Sequence, residues 1–186
     1  MQAVADLGYT QPTSVQLKAI PLAMGSGNDS TSFIDLMVSS QTGSGKTAAF
    51  LLPVLHTLIQ QQAAAEAEER AAFERAVAEA AARGEPAPKR AKRKDPTNSR
   101  NFKAATPGAL ILCPTRELAQ QVAHDAIDLV KHCRGLRVAN VVGGMPYQLQ
   151  IAKLQNANLV VATPGRLLDL QRSMQIKLDK VQFLVV

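Results

Sequence analysis

The chain has 186 residues, which is enough for one folded domain with a sizeable core. Its 46% hydrophobic residues never form a run of about 18 apolar residues, and its start lacks the pattern of a signal peptide, so we expect no membrane segment and no leader. The two cysteines, Cys113 and Cys133, form no C-x-x-C pair, which excludes a disulfide or zinc framework and favours a cytoplasmic location. The net charge of +6 is concentrated between residues 84 and 107, so it says little about the binding partners of the remainder of the chain.

Short apolar runs rich in β-branched residues alternate with longer amphipathic stretches along the chain. The runs are mostly continuous, which is typical of parallel strands covered on both faces. Predicted strands cover 33–39, 109–113, 137–142, 158–162 and 181–186, and predicted helices cover 14–24, 46–62, 117–131, 147–155 and 166–170. Strands separated by helices imply right-handed crossovers. We therefore predict a doubly wound α/β domain with a mostly parallel sheet and helices on both faces.

Residues 62–107 interrupt this alternation. Their first part is rich in alanine with charges at helical spacing, and Gly84 is a suitable helix stop. Their second part is basic and proline-containing without an apolar period, which predicts disorder. We interpret the block as a surface insertion within a single domain that spans 1–186. The KRAKRK sequence at 89–94 resembles a nuclear localisation signal, although a solvated basic loop is favoured and a weak nucleic-acid contact is a third option.

The segment Ser40-Gln-Thr-Gly-Ser-Gly-Lys-Thr47 carries the strongest chemical signal. It follows a predicted strand and opens a predicted helix, which is the context of a P-loop. Its glycines allow backbone N–H groups to surround phosphates, and the helix N-terminus adds partial positive charge. We expect Lys46 to reach the β- and γ-phosphates and Thr47 to ligate Mg²⁺, which makes these two the catalytic candidates. The segment predicts ATP or GTP binding by Ser40, Gln41, Thr42, Gly43, Ser44, Gly45, Lys46 and Thr47.

Four shorter motifs each have an ordinary structural explanation. Thr13 and Gln16 have the spacing of a helix capping box. Glu117 is a favourable charge in a first helical turn, and Gly143-Gly144 suits a turn. Thr163 followed by proline suits the start of a helix. None of these explanations accounts for the occurrence of all four motifs together with the P-loop in this order.

The segments GYTQPTSVQ, SQTGSGKT, PTRELA, GG and TPGR resemble the Q motif, motif I, motif Ia, the GG motif and motif Ib of DEAD-box ATP-dependent RNA helicases. The resemblance covers about residues 1–60 and 108–186, and it implies a RecA-like domain of helicase superfamily 2. The family usually has Ala where this chain has Ser40, and its aromatic residue before the Q motif would precede Met1. After an apolar strand like that ending at Val186 the family continues Asp-Glu-Ala-Asp. We therefore expect a C-terminally incomplete domain that lacks activity alone.

The resemblance also implies roles for individual residues. Gln16 would recognise the adenine edge of ATP, and Gln11 would cover the base. Backbone N–H groups and arginines would contact RNA phosphates without reading sequence, and the 2′-OH would distinguish RNA from DNA. The implied RNA-binding residues are Pro114, Thr115, Arg116, Gly143, Gly144, Thr163, Pro164, Gly165 and Arg166.

The implied function is ATP hydrolysis, with ATP and Mg²⁺ as cofactors, coupled to local unwinding or remodelling of RNA. One alternative is another P-loop nucleic-acid motor, against which Gln16 at its spacing argues. A second alternative is a non-catalytic P-loop module that binds RNA or a protein partner. Neither residues nor spacing identify the RNA substrate.

Overall fold

The computed structural model describes residues 2–25, 35–89 and 103–186. The helices are α1 (Gln2–Asp6), α2 (Ser14–Met24), α3 (Lys46–Ala82), α4 (Arg116–Val130), α5 (Tyr147–Leu154) and α6 (Pro164–Arg172). The strands are β1 (Ala109–Leu112), β2 (Val138–Val141), β3 (Leu159–Ala162) and β4 (Phe183–Val185). The helices and strands from β1 onward occur in the predicted order, whereas the short helix α1 was not among the predicted helices. None of the helices in the described ranges is long and apolar enough to cross a membrane.

The four strands form one parallel sheet in the order β2-β3-β1-β4. Leu159 of β3 lies opposite Ala109 of β1 on one side and opposite Val138 of β2 on the other. A strand with hydrogen-bonded neighbours on both edges has no free backbone edge to solvent. All four residues of β3 are accordingly buried, and β3 is the best-protected strand of the sheet.

Successive residues of β1 and β3 contribute to two hydrophobic cores on opposite faces of the sheet. Ile111 and Val161 belong to the core that includes α3 and α4. Leu110 and Val160 belong to the core that includes α5 and α6. Because side chains of a strand alternate between faces, a strand covered on both faces must be apolar throughout. The predicted parallel sheet with helices on both faces is confirmed.

The strand predicted at 33–39 is wrong for the part that the structure describes. Residues 35–40 form no strand, whereas 33–34 lie outside the described residues. Met37 is 98% exposed, although its neighbours in sequence are apolar. An extended run becomes a strand only when an adjacent strand pairs with its N–H and C=O groups, and none of the described strands pairs with residues 35–40. Apolar composition alone was therefore an insufficient signal for this strand.

Helix α3 continues well beyond the predicted end at residue 62. It is one helix of 37 residues, because the alanine-rich stretch has high helix propensity and extends the helix that begins at the P-loop. The predicted stop at Gly84 is confirmed: Gly84 has φ +69°, and its N–H donates to the Ala81 carbonyl at 3.1 Å. The Glu85 N–H donates to the Ala80 carbonyl at 2.9 Å, which completes a Schellman ending.

The chain rejoins the core before residue 107. Ala105 is 4% exposed and forms a parallel bridge with Ile176. Its N–H donates to the Gln175 carbonyl at 3.0 Å, and its carbonyl accepts from the Lys177 N–H at 2.8 Å. A surface excursion counted from residue 62 therefore ends before Ala105. Residues 90–102, which include most of the basic hexamer and of the predicted disorder, lie outside the described residues.

Candidate nucleotide and RNA sites

The predicted P-loop, residues 40–47, connects the extended segment at 35–40 to α3. Gly43 and Gly45 have φ angles of +77° and +84°, in the left-handed region that favours glycine. Gly45 also lies against α2, because a Cβ there would be 2.5 Å from Nε2 of Gln16. The loop leads directly into the N-terminus of α3, whose first N–H groups have no partner within the helix. This arrangement is suited to bind an anion.

Lys46 folds back onto the loop that precedes it. Its Nζ donates hydrogen bonds to the backbone carbonyls of Ser40 and, at 3.0 Å, of Gln41. A phosphate would compete with these two carbonyls for the ammonium group. The hydroxyl of Ser44 is buried and has no hydrogen-bond partner among the described residues, so the loop also contains an unsatisfied polar atom that a ligand could satisfy.

Gln16 links the predicted capping box to the P-loop. Its Oε1 accepts from the Thr13 N–H at 3.0 Å, and the Thr13 hydroxyl accepts from the Gln16 N–H at 3.3 Å, so the capping box is present. Its Nε2 donates to the carbonyl of Gly45 at 3.2 Å. One side chain therefore caps α2 and fastens it to the phosphate loop. Gln11 lies exposed at a bend before α2.

An apolar cleft of about 690 Å³ is lined by residues of the segment at 35–38 and of strand β4. Lys46 and Thr47 also line it, as do Cys113 and Pro114 after the end of β1. The cleft thus reaches the carboxyl end of the sheet, where α/β domains bind ligands. Burial raises the pKa of the Cys113 thiol, which keeps that wall neutral.

The described residues contain no group of three or more His, Cys, Asp or Glu side chains that could hold a metal ion. Thr47 lies half-buried in the first turn of α3, beside the phosphate loop. A hydroxyl at this position fits a Mg²⁺ ion that arrives with a nucleotide, since Mg²⁺ commonly takes one or two protein ligands and completes its shell with phosphates and water.

The predicted RNA-binding residues lie on the loops that follow β1, β2 and β3 and in the first turns of α4 and α6. Thr115 is the N-cap of α4, and its hydroxyl accepts from the Leu118 N–H at 3.3 Å. Arg116 lies over the β2–α5 loop, because a Cβ on Gly144 would be 2.6 Å from its Nη1. Gly144 has φ +79°, so the backbone conformation favours glycine there, and a side chain would also displace the end of Arg116. Pro114 is exposed beside this pair.

Arg166 is held by a second set of contacts. Its Nη1 donates to Oε1 of Gln150 at 3.2 Å, and its guanidinium carbon lies 5.7 Å from the centre of the Tyr147 ring. Its Nε is 4.0 Å from Oδ2 of Asp169. The side chain is 17% exposed, so it is positioned by protein contacts and remains partly accessible to solvent.

Thr163 occupies the N-cap position of α6 with Pro164 at the first turn, as predicted, but its side chain makes no capping hydrogen bond. The ordinary explanation for this threonine is therefore incomplete. Gly165 is exposed, and a Cβ there would meet no heavy atom within 4 Å, so that the start of α6 is open on this side.

Sequence reasoning did not single out Gln150, which is fully buried on α5. A polar residue four positions before the apolar Leu154 on the same predicted helical face was the available signal. The three loops lie at the carboxyl ends of the strands. Lys46, Thr47 and Pro114 line one cleft, and Arg116 lies against Gly144.

The sequence of this chain is similar to those of known helicases. The sequence profile of the DEAD/DEAH box helicase family matches residues 13–186. The chain is 36% identical over 188 residues to DEAD-box ATP-dependent RNA helicase 52A of Oryza sativa subsp. japonica, covering 100% of this chain and 25% of that relative. It is 35% identical over 187 residues to ATP-dependent RNA helicase DeaD of Escherichia coli strain K12, covering 100% of this chain and 22% of that relative. The chain thus spans about a quarter of these relatives.

Solved helicase structures have the same RecA-like fold. A hypothetical ATP-dependent RNA helicase from Sulfolobus tokodaii is 31% identical with a TM-score of 0.65, and the match covers 98% of this chain and 38% of that one. The RNA helicase Prp28 from Chaetomium thermophilum bound to ADP is 30% identical with a TM-score of 0.65, covering 98% and 34%. The chain belongs to the DEAD/DEAH box helicase family.

Proposed function

We propose that this chain is the ATP-binding and part of the RNA-binding machinery of an ATP-dependent RNA helicase, which couples ATP hydrolysis to local unwinding or remodelling of RNA. The observation that carries the proposal is the contact between Gln16 and the carbonyl of Gly45. It joins a glutamine suited to recognise a base to a loop suited to bind phosphates. Such a link would couple recognition of the base to the geometry of the phosphate site.

The nucleotide would be ATP rather than GTP. A glutamine amide has two N–H donors and an oxygen with two lone pairs, and the contacts to Gly45 and Thr13 use one donor and one lone pair. One donor and one acceptor remain for the adenine edge, which presents the complementary pair. Gln11, exposed beside α2, would cover the base.

Phosphate binding would fall to residues 40–47, with Lys46 and Thr47 as the catalytic pair. Lys46 would exchange its carbonyl partners for the β- and γ-phosphates, and the N–H groups at the start of α3 would contact the same oxygens. Thr47 would hold the Mg²⁺, which neutralises phosphate charge when bound. The sequence Asp-Glu-Ala-Asp does not occur among the 186 residues, so the role proposed for these residues is to bind and orient the nucleotide.

RNA would lie across the loops that follow β1, β2 and β3. The residues proposed to contact it are Pro114, Thr115, Arg116, Gly143, Gly144, Thr163, Pro164, Gly165 and Arg166. Two arginines and the N-termini of α4 and α6 favour contacts to phosphate oxygens, which hold a strand without reading its bases.

The two cysteines are free in the structure, which supports a reducing, cytoplasmic compartment as part of the proposal.

The test is RNA-stimulated ATPase activity of the full-length protein that contains this chain. We expect turnover to rise on addition of single-stranded RNA and to be lost in Lys46→Ala, whereas Lys18→Ala, which changes an exposed lysine on α2, should retain it. Turnover that is insensitive to RNA would favour a different P-loop motor. ATP binding without any turnover in the full-length protein would favour a non-catalytic module.

A further inference from the structure

Gln150 is a buried polar residue that joins two of the loops proposed to bind RNA. It lies on α5, its side chain is fully buried, and its Nε2 donates to the carbonyl of Val142. Val142 immediately precedes Gly143-Gly144 in the β2–α5 loop. The Oε1 of Gln150 accepts from Nη1 of Arg166 at 3.2 Å, and Arg166 lies in the first turn of α6, directly after the β3–α6 loop.

The chemistry of the two partners fixes the orientation of this amide. A carbonyl can only accept a hydrogen bond, and a guanidinium can only donate one. The NH₂ of Gln150 must therefore face Val142, and its oxygen must face Arg166. Because both ends of a buried amide are satisfied, a rotation that frees one partner would leave a polar atom unpaired in the core, which is costly.

Arg166 is in turn confined between Gln150 and the face of Tyr147, whose ring centre lies 5.7 Å from the guanidinium carbon. Long arginine side chains lose rotamer freedom when they bind a phosphate, and a side chain that is already confined loses less. Gln150 thus limits the conformations of Arg166 from inside the protein, while the Arg166 side chain stays 17% exposed.

We propose that Gln150 is a positioning residue for the RNA-binding surface, because it fixes Arg166 and the Gly143-Gly144 loop relative to each other. The proposal rests on the proposed function, since it assigns Gln150 an effect on RNA that is exerted through Arg166. A purely structural role in the core is the competing interpretation, and it predicts an effect on folding stability without a specific effect on RNA.

Gln155 provides a matched control. It lies at the end of α5 and is 5% exposed, but its Nε2 is buried without a hydrogen-bond partner among the described residues. Gln150→Leu and Gln155→Leu therefore make the same chemical change in two buried glutamines of the same helix region. Only the first removes the bridge between the two loops.

The experiment measures binding of a short fluorescein-labelled single-stranded oligouridylate to the full-length protein with a non-hydrolysable ATP analogue, at several salt concentrations. We expect Gln150→Leu to weaken binding by about fivefold to tenfold, with Gln155→Leu close to wild type. The affinity for the ATP analogue should not change in either variant. In an Arg166→Leu background the further loss from Gln150→Leu should be about twofold or less, because the two residues act through one contact.

The salt dependence separates positioning from stability. If Gln150→Leu displaces Arg166 from a phosphate, the slope of log K against log salt should fall by up to about 0.7, the value for one phosphate contact on a single strand. Thermal melts show whether each variant is folded. If Gln150→Leu does not melt cooperatively, Gln150→Met takes its place, because methionine has a side chain of the same length as glutamine.

Several outcomes would overturn the proposal. Wild-type affinity in Gln150→Leu, an equal loss in Gln155→Leu, or full additivity with Arg166→Leu would each show that Gln150 does not act through Arg166. Failure of both Gln150 variants to fold would make Gln150 a residue of the folding core alone. If the wild-type protein binds no RNA, the proposed function itself fails and this inference fails with it.

Discussion

Different kinds of contact hold the two halves of the domain. The first half is built on β2, β3 and β1, and the second half carries the predicted P-loop. In the first half, β3 is hydrogen-bonded on both edges and buried along its whole length. In the second half, residues 35–40 form no strand, and β4 pairs with β1 alone among the described strands. Leu184 of β4 is 61% exposed, whereas its partner Leu110 is 4% exposed.

The difference shows that similar sequences have different structural consequences at different places in a sheet. The runs at 35–39 and 159–162 are both largely apolar, but only the second has strands beside it. The loops that follow β1, β2 and β3 are therefore supported by backbone pairing beneath them. The predicted P-loop has no paired strand before it. It is held by the packing of α3 in the core and of α2 against α3, and by side-chain hydrogen bonds from Gln16 and Lys46.

The largest expected effect compares a central strand residue with an exposed residue before the P-loop. Leu159→Ala removes a fully buried side chain from β3 and should lower the free energy of unfolding by about 2–5 kcal/mol. Met37→Ala changes a 98% exposed side chain and should alter it by no more than about 0.5 kcal/mol. Urea denaturation measures both. Comparable losses in the two variants would mean that the segment at 35–40 is packed as firmly as β3.

Substitution of two glycines in the predicted P-loop tests whether the Gln16 contact stabilises the second half of the domain. Both have left-handed φ angles, so Gly43→Ala and Gly45→Ala share a strain of about 1–2 kcal/mol. Only a Cβ at Gly45 would also displace the Gln16 amide, since a Cβ on Gly43 meets no heavy atom within 4 Å. We expect Gly45→Ala to lower the free energy of unfolding by about 1 kcal/mol more than Gly43→Ala. Equal losses would show that the Gln16 contact contributes nothing to stability.

The sequence predicted most of the first half and less of the second. Continuous apolar runs with helices between them were sufficient to place β1, β2 and β3 and the helices after them, because each run has a partner in the sheet. The run at 33–39 has the same composition, but pairing depends on a neighbour that is distant in sequence. The length of α3 was missed because the alanine-rich block was separated from a helix that it simply extends.

The candidate sites divide in the same way. Residue types and spacing predict the P-loop, and the capping box of Thr13 and Gln16, which the structure shows, could be derived from three-residue spacing. The Gln16–Gly45 and Gln150–Arg166 hydrogen bonds join residues 29 and 16 positions apart, and local patterns do not encode such pairs. The contact of Arg116 with Gly144 is likewise a product of strand order.

Nucleotide preference tests the role of the Gln16 link in the full-length protein. Gln16→Ala should weaken ATP binding by about 1–3 kcal/mol and reduce the preference over GTP, because paired hydrogen bonds to the base are lost. Gln16→Glu retains the acceptor for the Thr13 N–H, so the capping box and the stability of α2 should persist while the amide donor is lost. Competition titrations with both nucleotides, alongside thermal melts, separate the two effects. If GTP displaces the bound nucleotide from the wild-type protein as well as ATP does, Gln16 is a helix cap and not a base-recognition residue.

The smallest expected effect concerns a surface contact that joins α1 to the end of α4. The carboxylate of Asp6 lies 2.6 Å from Nε2 of His132 and 3.1 Å from Nζ of Lys131. Hydrogen bonds from His132 and then Lys131 lower the pKa of Asp6 below its ordinary value of 3.8. A carboxyl group with a lowered folded-state pKa stabilises the fold above its unfolded pKa, and this stabilisation is lost as the pH falls through the folded-state value. The contribution should be small because the group is exposed to solvent.

Asp6→Asn should therefore melt slightly below wild type at neutral pH, and the difference should shrink as the pH falls below 3.8. Thermal melts of both proteins across this range provide the measurement. Lys131→Ala should reproduce part of the difference, and the double variant should add little because the two residues share one contact. A difference that stays constant into acid would mean that Asp6 acts by packing α1 against α4 rather than by its charge. In that case packing alone would hold α1 against the half of the domain built on β2, β3 and β1, and the ionic contact would not contribute.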